Sequence, residues 1–306
     1  MKKKHTLIIL IFFVLLNKIN AQNVNDLTSS LTSFTNTKNL NLNGNVKSVK
    51  EFTCKKDDIS LLKTKECTDE IFYEFDTMHR IIAMIYPRKD SVSYTYDKDK
   101  VKEARYEEGS KNPMYESLYS LNKEGNIYSK FTKNSEDRET IIYKYDTKNN
   151  LIENLEYNNK KKINSRLKID YDNEKKPNKL VGLDGKGKII INIENVYKEG
   201  KVIKSKMLQG DREFKYLYTY DNKGNLNTQE TYDSAGKLIE KIEKEFDSFG
   251  NEIKYTMSYN NISGETSIIK RVIEITYDKF NNWTKKIISF NEYIIVDVKF
   301  RTIEYY

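Results

Sequence analysis

The sequence predicts an all-β fold: an antiparallel β-hairpin repeat array, about 25 residues per two-strand repeat, coiled into a β-solenoid, a shell or an open barrel-like sheet. Three observations predict it. An aromatic residue followed by Asp recurs at near-regular steps from Phe75 to Asp278. Turn-forming residues follow these pairs at fixed offsets. The segments between turns alternate apolar and polar with period two.

The recurring pairs and their degenerate forms are Phe75-Asp76, Tyr96-Asp97, Leu121-Asn122, Tyr145-Asp146, Tyr171-Asp172, Tyr197-Lys198, Tyr220-Asp221, Phe246-Asp247 and Tyr277-Asp278. Three residues after the Asp or Asn stands Gly125, Asn149, Gly224, Gly250 or Asn281. Gly and Asn enter the left-handed backbone region at the lowest cost. Asn126, Asn150, Asn225, Asn251 or Asn282 comes next. An Asp at the first turn position accepts hydrogen bonds from N–H groups two residues on. Asp146, Asp221, Asp247 and Asp278 are therefore read as turn residues, together with Gly224, Asn225 and Gly250. The copies "FDTMHR", "YDKDKV" and "YDNEKK" lack Gly or Asn at the expected place.

A second turn divides many repeats: "YEEGSK" from Tyr106, "YNNKKK" from Tyr157, "LDGKGK" from Leu183, "YDSAGK" from Tyr232 and "YNNISGE" from Tyr259. Loops this short force antiparallel neighbours. Between turns, Phe214, Tyr216, Tyr218 and Tyr220 share one face. So do Ile253, Tyr255, Met257 and Tyr259; so do Ile163, Ser165, Leu167, Ile169 and Tyr171; so do Ile189, Ile191 and Ile193. Lys, Glu, Thr, Asn and Ser fill most of the other face. An array of about eighteen such strands cannot stay flat, because its apolar face would be wet. Buried tyrosine hydroxyls then need partners. "GNVKSVKEF" from Gly44 and "VKFRTIEYY" from Val298 are expected to cap two separate edges.

The chain opens with Lys2, Lys3 and Lys4, then an uncharged apolar run from Thr6 to Leu16 and a small-residue exit at Ala21. Residues 1–21 read as a secretory signal peptide. Residues 22–43 read as a flexible leader and residues 44–306 as the repeat domain. No later stretch is long and apolar enough to form a transmembrane helix. Without the four signal lysines, 49 basic residues face 45 acidic ones, and the lysines are spread evenly. That distribution predicts no nucleic-acid partner. The protein is expected in the periplasm, outside the cell or on its surface.

Cys54 and Cys67 are the only cysteines, and export makes a disulfide between them the favoured reading. His79 sits in a turn, without the companions of a nucleophilic triad. No zinc-ligand spacing is visible, and lysines such as those in "DNKGN" disfavour a calcium loop. No metal or cofactor is expected. "GLDGKGKI" at Gly182–Ile189 has phosphate-loop spacing, but Ile189 stands where Ser or Thr is required, and two strands flank it. The sequons at Asn261 and Asn282 read as incidental in an Asn-rich chain. Trp283 is the sole Trp. It takes the place that Leu or Ile holds after other turns, so a core role competes with a ligand platform.

The copies "YDNKGNL", "YDSAGKL", "FDSFGNEI" and "YDTKNNL" resemble the YD repeat of the Rhs family. The resemblance covers roughly residues 70–306. It implies long antiparallel sheets that spiral into shells, and adhesion or carbohydrate contact at cell surfaces. The chain is also similar to small secreted bacterial proteins that begin "G-x-V-K-S-V" and end "NWT…R-x-I-E-Y", here at Gly44–Val49, Asn282–Thr284 and Arg301–Tyr305. It lacks the Asp-Pro pair of the autoproteolytic Rhs core, and no toxin domain is expected. The resemblance brings no catalytic residue.

The expected function is that of an exported, non-enzymatic repeat protein presenting a β surface to a glycan, an envelope component or a protein partner. An outer-membrane β-barrel is the alternative, since its strands alternate in the same way. A secreted hydrolase, which would need convergent acids, is third.

Overall fold

The computed structural model describes residues 40, 42–55, 69–87, 89–134, 138–260, 265–291 and 294–306. The expected signal peptide and most of the expected leader lie outside these residues.

The described strands are β1 (Val46–Lys55), β2 (Asp69–Phe75), β3 (Ile81–Ile85), β4 (Ser91–Asp97), β5 (Lys100–Tyr106), β6 (Tyr115–Leu121), β7 (Ile127–Asn134), β8 (Arg138–Tyr145), β9 (Leu151–Tyr157) and β10 (Ile163–Tyr171). They continue as β11 (Pro177–Asp184), β12 (Ile189–Lys198), β13 (Lys201–Gln209), β14 (Arg212–Tyr220), β15 (Leu226–Tyr232), β16 (Leu238–Phe246), β17 (Glu252–Asn260), β18 (Thr266–Tyr277), β19 (Trp283–Phe290) and β20 (Ile294–Tyr305). Consecutive strands pair antiparallel throughout, in one 20-stranded sheet.

The sheet closes. β1 pairs with β20 as well as with β2, in the register Val49↔Ile303, Glu51↔Arg301 and Phe52↔Phe300. This corrects the expected solenoid, shell or open sheet. The two terminal segments do not cap separate edges; they zip to each other. Closure satisfies both rows of edge N–H and C=O groups, which a coiled open array leaves exposed.

In a closed sheet only the inward face is shut from water without a second layer. Leu167, Ile169, Leu180, Ile191, Ile193 and Met207 are 2–8% exposed and belong to one cluster running from Val101 on β5 to Leu226 on β15. A smaller cluster gathers Val46, Val49, Tyr73, Phe75 and Ile81, joined by Leu42 from the leader. The opposite face carries charged pairs between neighbouring strands: Lys50–Glu70 at 2.8 Å, Lys144–Glu153 at 2.7 Å, Lys206–Glu213 at 2.9 Å and Lys254–Glu245 at 2.9 Å. That charged face is the outer one. Ile189 departs from the expected pattern at 54% exposed. A register shift between Gly182 and Leu183 turns its end of β12 away from the core that Ile191 and Ile193 enter.

All nine aromatic-Asp positions and their degenerate forms fall at the ends of even-numbered strands, from β2 to β18. Nine turns therefore share one rim. The ladder register shifts at the aromatic residue in most of them, for example at Tyr145, Tyr171, Tyr220 and Tyr277. Such a bulge, built on a left-handed residue, turns the next strand's first side chain inward. Ile81, Ile127, Leu151 and Leu226 are buried there, and Val101 and Val202, the second residues of β5 and β13, are buried beside them. They form an apolar ring inside this rim.

Candidate functional site

The turn residues singled out in the sequence act on their own backbone. Asp146 Oδ1 accepts the N–H groups of Lys148 and Asn150 at 2.9 and 2.8 Å. Asp221 does the same for Lys223 and Asn225, Asp247 for Phe249 and Asn251, and Asp278 for Phe280 and Asn282. Asn225 Nδ2 adds a bond to Asp221 Oδ2. Gly224 and Gly250 take φ of 91° and 79°. Two of the three turns without Gly or Asn adopt the same shape, with His79 and Lys175 both at φ 62°; the third is a tighter turn in which Asp97 pairs with Lys100 and Lys98 has φ 37°. In the first two the Asx hydrogen bonds of Asp76 and Asp172 impose the conformation. His79 thus serves as a left-handed turn residue. The phosphate-loop look-alike is the β11–β12 hairpin, with Asp184 Oδ1 accepting from Lys186 and Lys188 N–H.

The tyrosines before these turns bind the preceding repeat. Tyr96, Tyr145, Tyr171, Tyr197 and Tyr220 donate their hydroxyls to the carbonyls of Ile81, Ile127, Leu151, Pro177 and Val202, at 2.7–3.0 Å. Each acceptor is the first or, for Val202, the second residue of the strand that follows the previous rim turn. Tyr277 and Tyr305 instead reach carboxylates, those of Asp247 and Asp278. A ladder of hydroxyls thereby links hairpin to hairpin along the rim. Burial pushes the phenols of Tyr96, Tyr171 and Tyr220 up to about 12.

Cys54 is buried on β1 and is not a free thiol. Cys67, and with it the expected pair, lies outside the described residues, as does the sequon at Asn261. The Asn282 side chain is fully buried. It accepts Asn43 N–H at 2.6 Å and donates to Asn43 O and the Tyr305 hydroxyl at 2.8 and 2.7 Å. Among the described residues no group of three His, Cys, Asp or Glu side chains could hold a metal ion.

Trp283 opens β19 at 7% exposure, in the place that Leu151 and Leu226 hold elsewhere. As a surface platform it has no free approach. The Arg301 guanidinium carbon lies 3.8 Å from its ring centroid and Lys286 Nζ 4.5 Å. Arg301 donates through both Nε and Nη2 to Glu51 Oε1 at 2.6 Å. Its side chain is 6% exposed. Burial drives the Arg301 pKa down, and Glu51 opposes that shift. Lys286 falls to about 8, through burial first and the neighbouring Arg301 next, with Lys299 adding to the effect. Tyr73 rises to about 12, through burial and then Glu51.

This cluster occupies the seam of the barrel, where β19, β20 and β1 meet. The adjoining wall is also polar: Lys244 pairs with Glu252 at 3.1 Å, and Arg271 pairs with Glu252 while lying 4.8 Å from the Tyr255 ring. Most residues of β17 and β19 are half-buried, unlike the apolar stretch between β5 and β15. The inner wall thus has a dry sector and a wetter, basic one.

No family model and no curated protein matches the chain. Among solved structures, a porin-like protein from Bacteroides uniformis is 11% identical, with 89% of this chain and all of that chain covered and a TM-score of 0.42. A porin-like protein from Bacteroides vulgatus is 11% identical, with 85% and 98% covered and a TM-score of 0.33. TcdB2-TccC3 is 13% identical over 78% of this chain and 16% of that one, with a TM-score of 0.30. Likenesses this distant say nothing about what the chain does.

Proposed function

We propose that the chain is an exported, non-enzymatic binding protein: a closed β-barrel of YD-type hairpins that works in water and engages a glycan, an envelope component or a protein. The observation that carries this reading is the orientation of the sheet. Its outer face bears the Lys–Glu pairs, and its inner face the Ile, Leu and Tyr core. The Asp residues of the repeat are occupied by turn N–H groups, which supports a structural role for them.

The outer-membrane reading is favoured by closure itself, which such a protein requires. Two features weigh against bilayer insertion. Lys or Arg on a lipid-facing wall costs about 2–4 kcal/mol each at the midplane. Several strands are short as well: β2, β4, β5, β6, β9 and β15 have seven residues, against about 9–11 for a spanning strand.

Fractionation of expressing cells tests the choice. The proposal expects release of folded protein by osmotic shock or into the medium, monodisperse without detergent. Flotation with membranes and aggregation on detergent removal would overturn it in favour of the membrane barrel. Turnover of a glycan or peptide, lost with one acid pair, would overturn the non-enzymatic part.

A further inference from the structure

Lys286 on β19 and Lys299 on β20 are direct partners in the ladder. Directly opposed residues share a face, so the two lysine side chains leave the sheet as neighbours on the same side. Like charges in that position destabilise a sheet. On the outer face Lys144 stands against Glu153, Lys179 against Glu194 and Lys254 against Glu245, and where two lysines do oppose each other there, Lys206 and Lys215, both pair with Glu213 at 2.9 and 3.7 Å. At the seam no carboxylate of the described residues joins the two lysines in this way, and a third cation, Arg301, lies two residues on along β20. Glu51, the carboxylate acting most strongly on Lys286, is taken by both Nε and Nη2 of Arg301. Among the described residues neither lysine forms an ion pair with a carboxylate. Lys286 is instead held against the Trp283 ring. The site faces the wetter sector of the barrel wall, where residues are half-buried.

We propose that Lys286 and Lys299, with Arg301 beside them, form an interior binding site for an oxyanion, a carboxylate or phosphate group on a small soluble ligand. A bound oxyanion would lie between the two ammonium groups and replace their repulsion with two charge-assisted hydrogen bonds. Glu51 holds Arg301 in place without neutralising the lysines. The inference deepens the binding reading above and rests on it.

The sole Trp of the chain is in the site, so tryptophan fluorescence reports on the site alone. The purified protein is titrated with inorganic phosphate, glucuronate and glucose, at ionic strength matched with sodium chloride. The expected result is a saturable change with phosphate or glucuronate and none with glucose. Phosphate and glucuronate separate the two oxyanion sources. In Lys286→Met and in Lys299→Gln the apparent affinity should fall about tenfold or more, since each loses a hydrogen bond to a charged group. Both variants should fold, because each removes a like-charge contact. Their thermal midpoints without ligand should match or exceed the parent's, and the parent's should rise with the anion. The proposal is overturned if no anion gives a saturable signal, or if both variants respond like the parent. A protein that binds a neutral glycan or envelope protein while Trp283 ignores every anion would keep the binding reading and sink this one.

Discussion

Replacing Asn282 with Ala should loosen the barrel where its ends meet. The side chain makes three hydrogen bonds beyond its own turn: from Asn43 N–H at 2.6 Å, to Asn43 O at 2.8 Å, and to the Tyr305 hydroxyl at 2.7 Å. They tie the segment leading into β1 and the end of β20 to the β18–β19 turn. A buried hydrogen bond contributes about 1 kcal/mol net, and a stranded backbone group costs about 1–3 kcal/mol. The expected loss is therefore roughly 2–4 kcal/mol. Asn150→Ala is the matched control. Asn150 holds the same turn position, and its side chain binds Asp146 Oδ2 at 2.8 Å, within its own turn. That variant should lose about 1 kcal/mol. Urea unfolding followed by circular dichroism measures both. A loss in Asn282→Ala no larger than in Asn150→Ala would refute the role assigned to this residue.

Three further outcomes are expected. Tyr220→Phe removes the 2.7 Å bond to Val202 O and should cost about 1–2 kcal/mol in the same assay; it should still fold, because Phe246 already occupies the equivalent place. The carboxyls of Asp146, Asp184 and Asp221 are held below the usual aspartate range, by the Asn150 side chain, the Lys188 N–H and the Asn225 side chain respectively. A depressed folded-state pKa gives stability that is complete above the unfolded value, about 3.9, and is lost as pH falls through the folded one. The triple variant Asp146→Asn, Asp184→Asn, Asp221→Asn should keep its turns, as Asn122 and Asn158 do. Its stability should fall less between pH 6 and pH 2 than the parent's, and an unchanged fall would contradict the assignment. Finally, we propose the Cys54–Cys67 disulfide: reduction should add two hydrogens to the intact mass, and closing so short a loop should contribute about 3 kcal/mol.

Local structure was legible in the sequence, and global closure was not. Period-two alternation identified the buried faces of β10 and β14, because side chains on a pleated strand must alternate. The aromatic-Asp pairs marked the turns, because an Asp carboxylate bonds its own backbone two residues on. Neither signal says where a coiled sheet's first strand ends up. Val49 and Ile303 looked like members of two separate edges, and only the completed curvature brings them into register. The left-handed Lys175 carries no signal of its own, because lysine has no preference for that conformation; the Asp172 hydrogen bonds impose it. The basic seam was within reach. Glu51 shares parity with Val49, and Arg301 with Ile303, so both charges fall on an apolar face. A charge at the wrong parity in a strand was the available signal. Lys286 could not be read in that way, because the bulge at Tyr277 and Trp283 resets the parity of β19.

Closure of the sheet is tested most directly by a cross-link across the seam. Lys50 and Thr302 are direct partners on β1 and β20, and such partners have Cα atoms about 4.5–5.5 Å apart, within disulfide reach. With Lys50→Cys and Thr302→Cys in one chain, mild oxidation should join the peptides bearing residues 50 and 302 within a monomer. If those peptides stay unlinked while the chain remains folded, or link only between chains, the barrel is open.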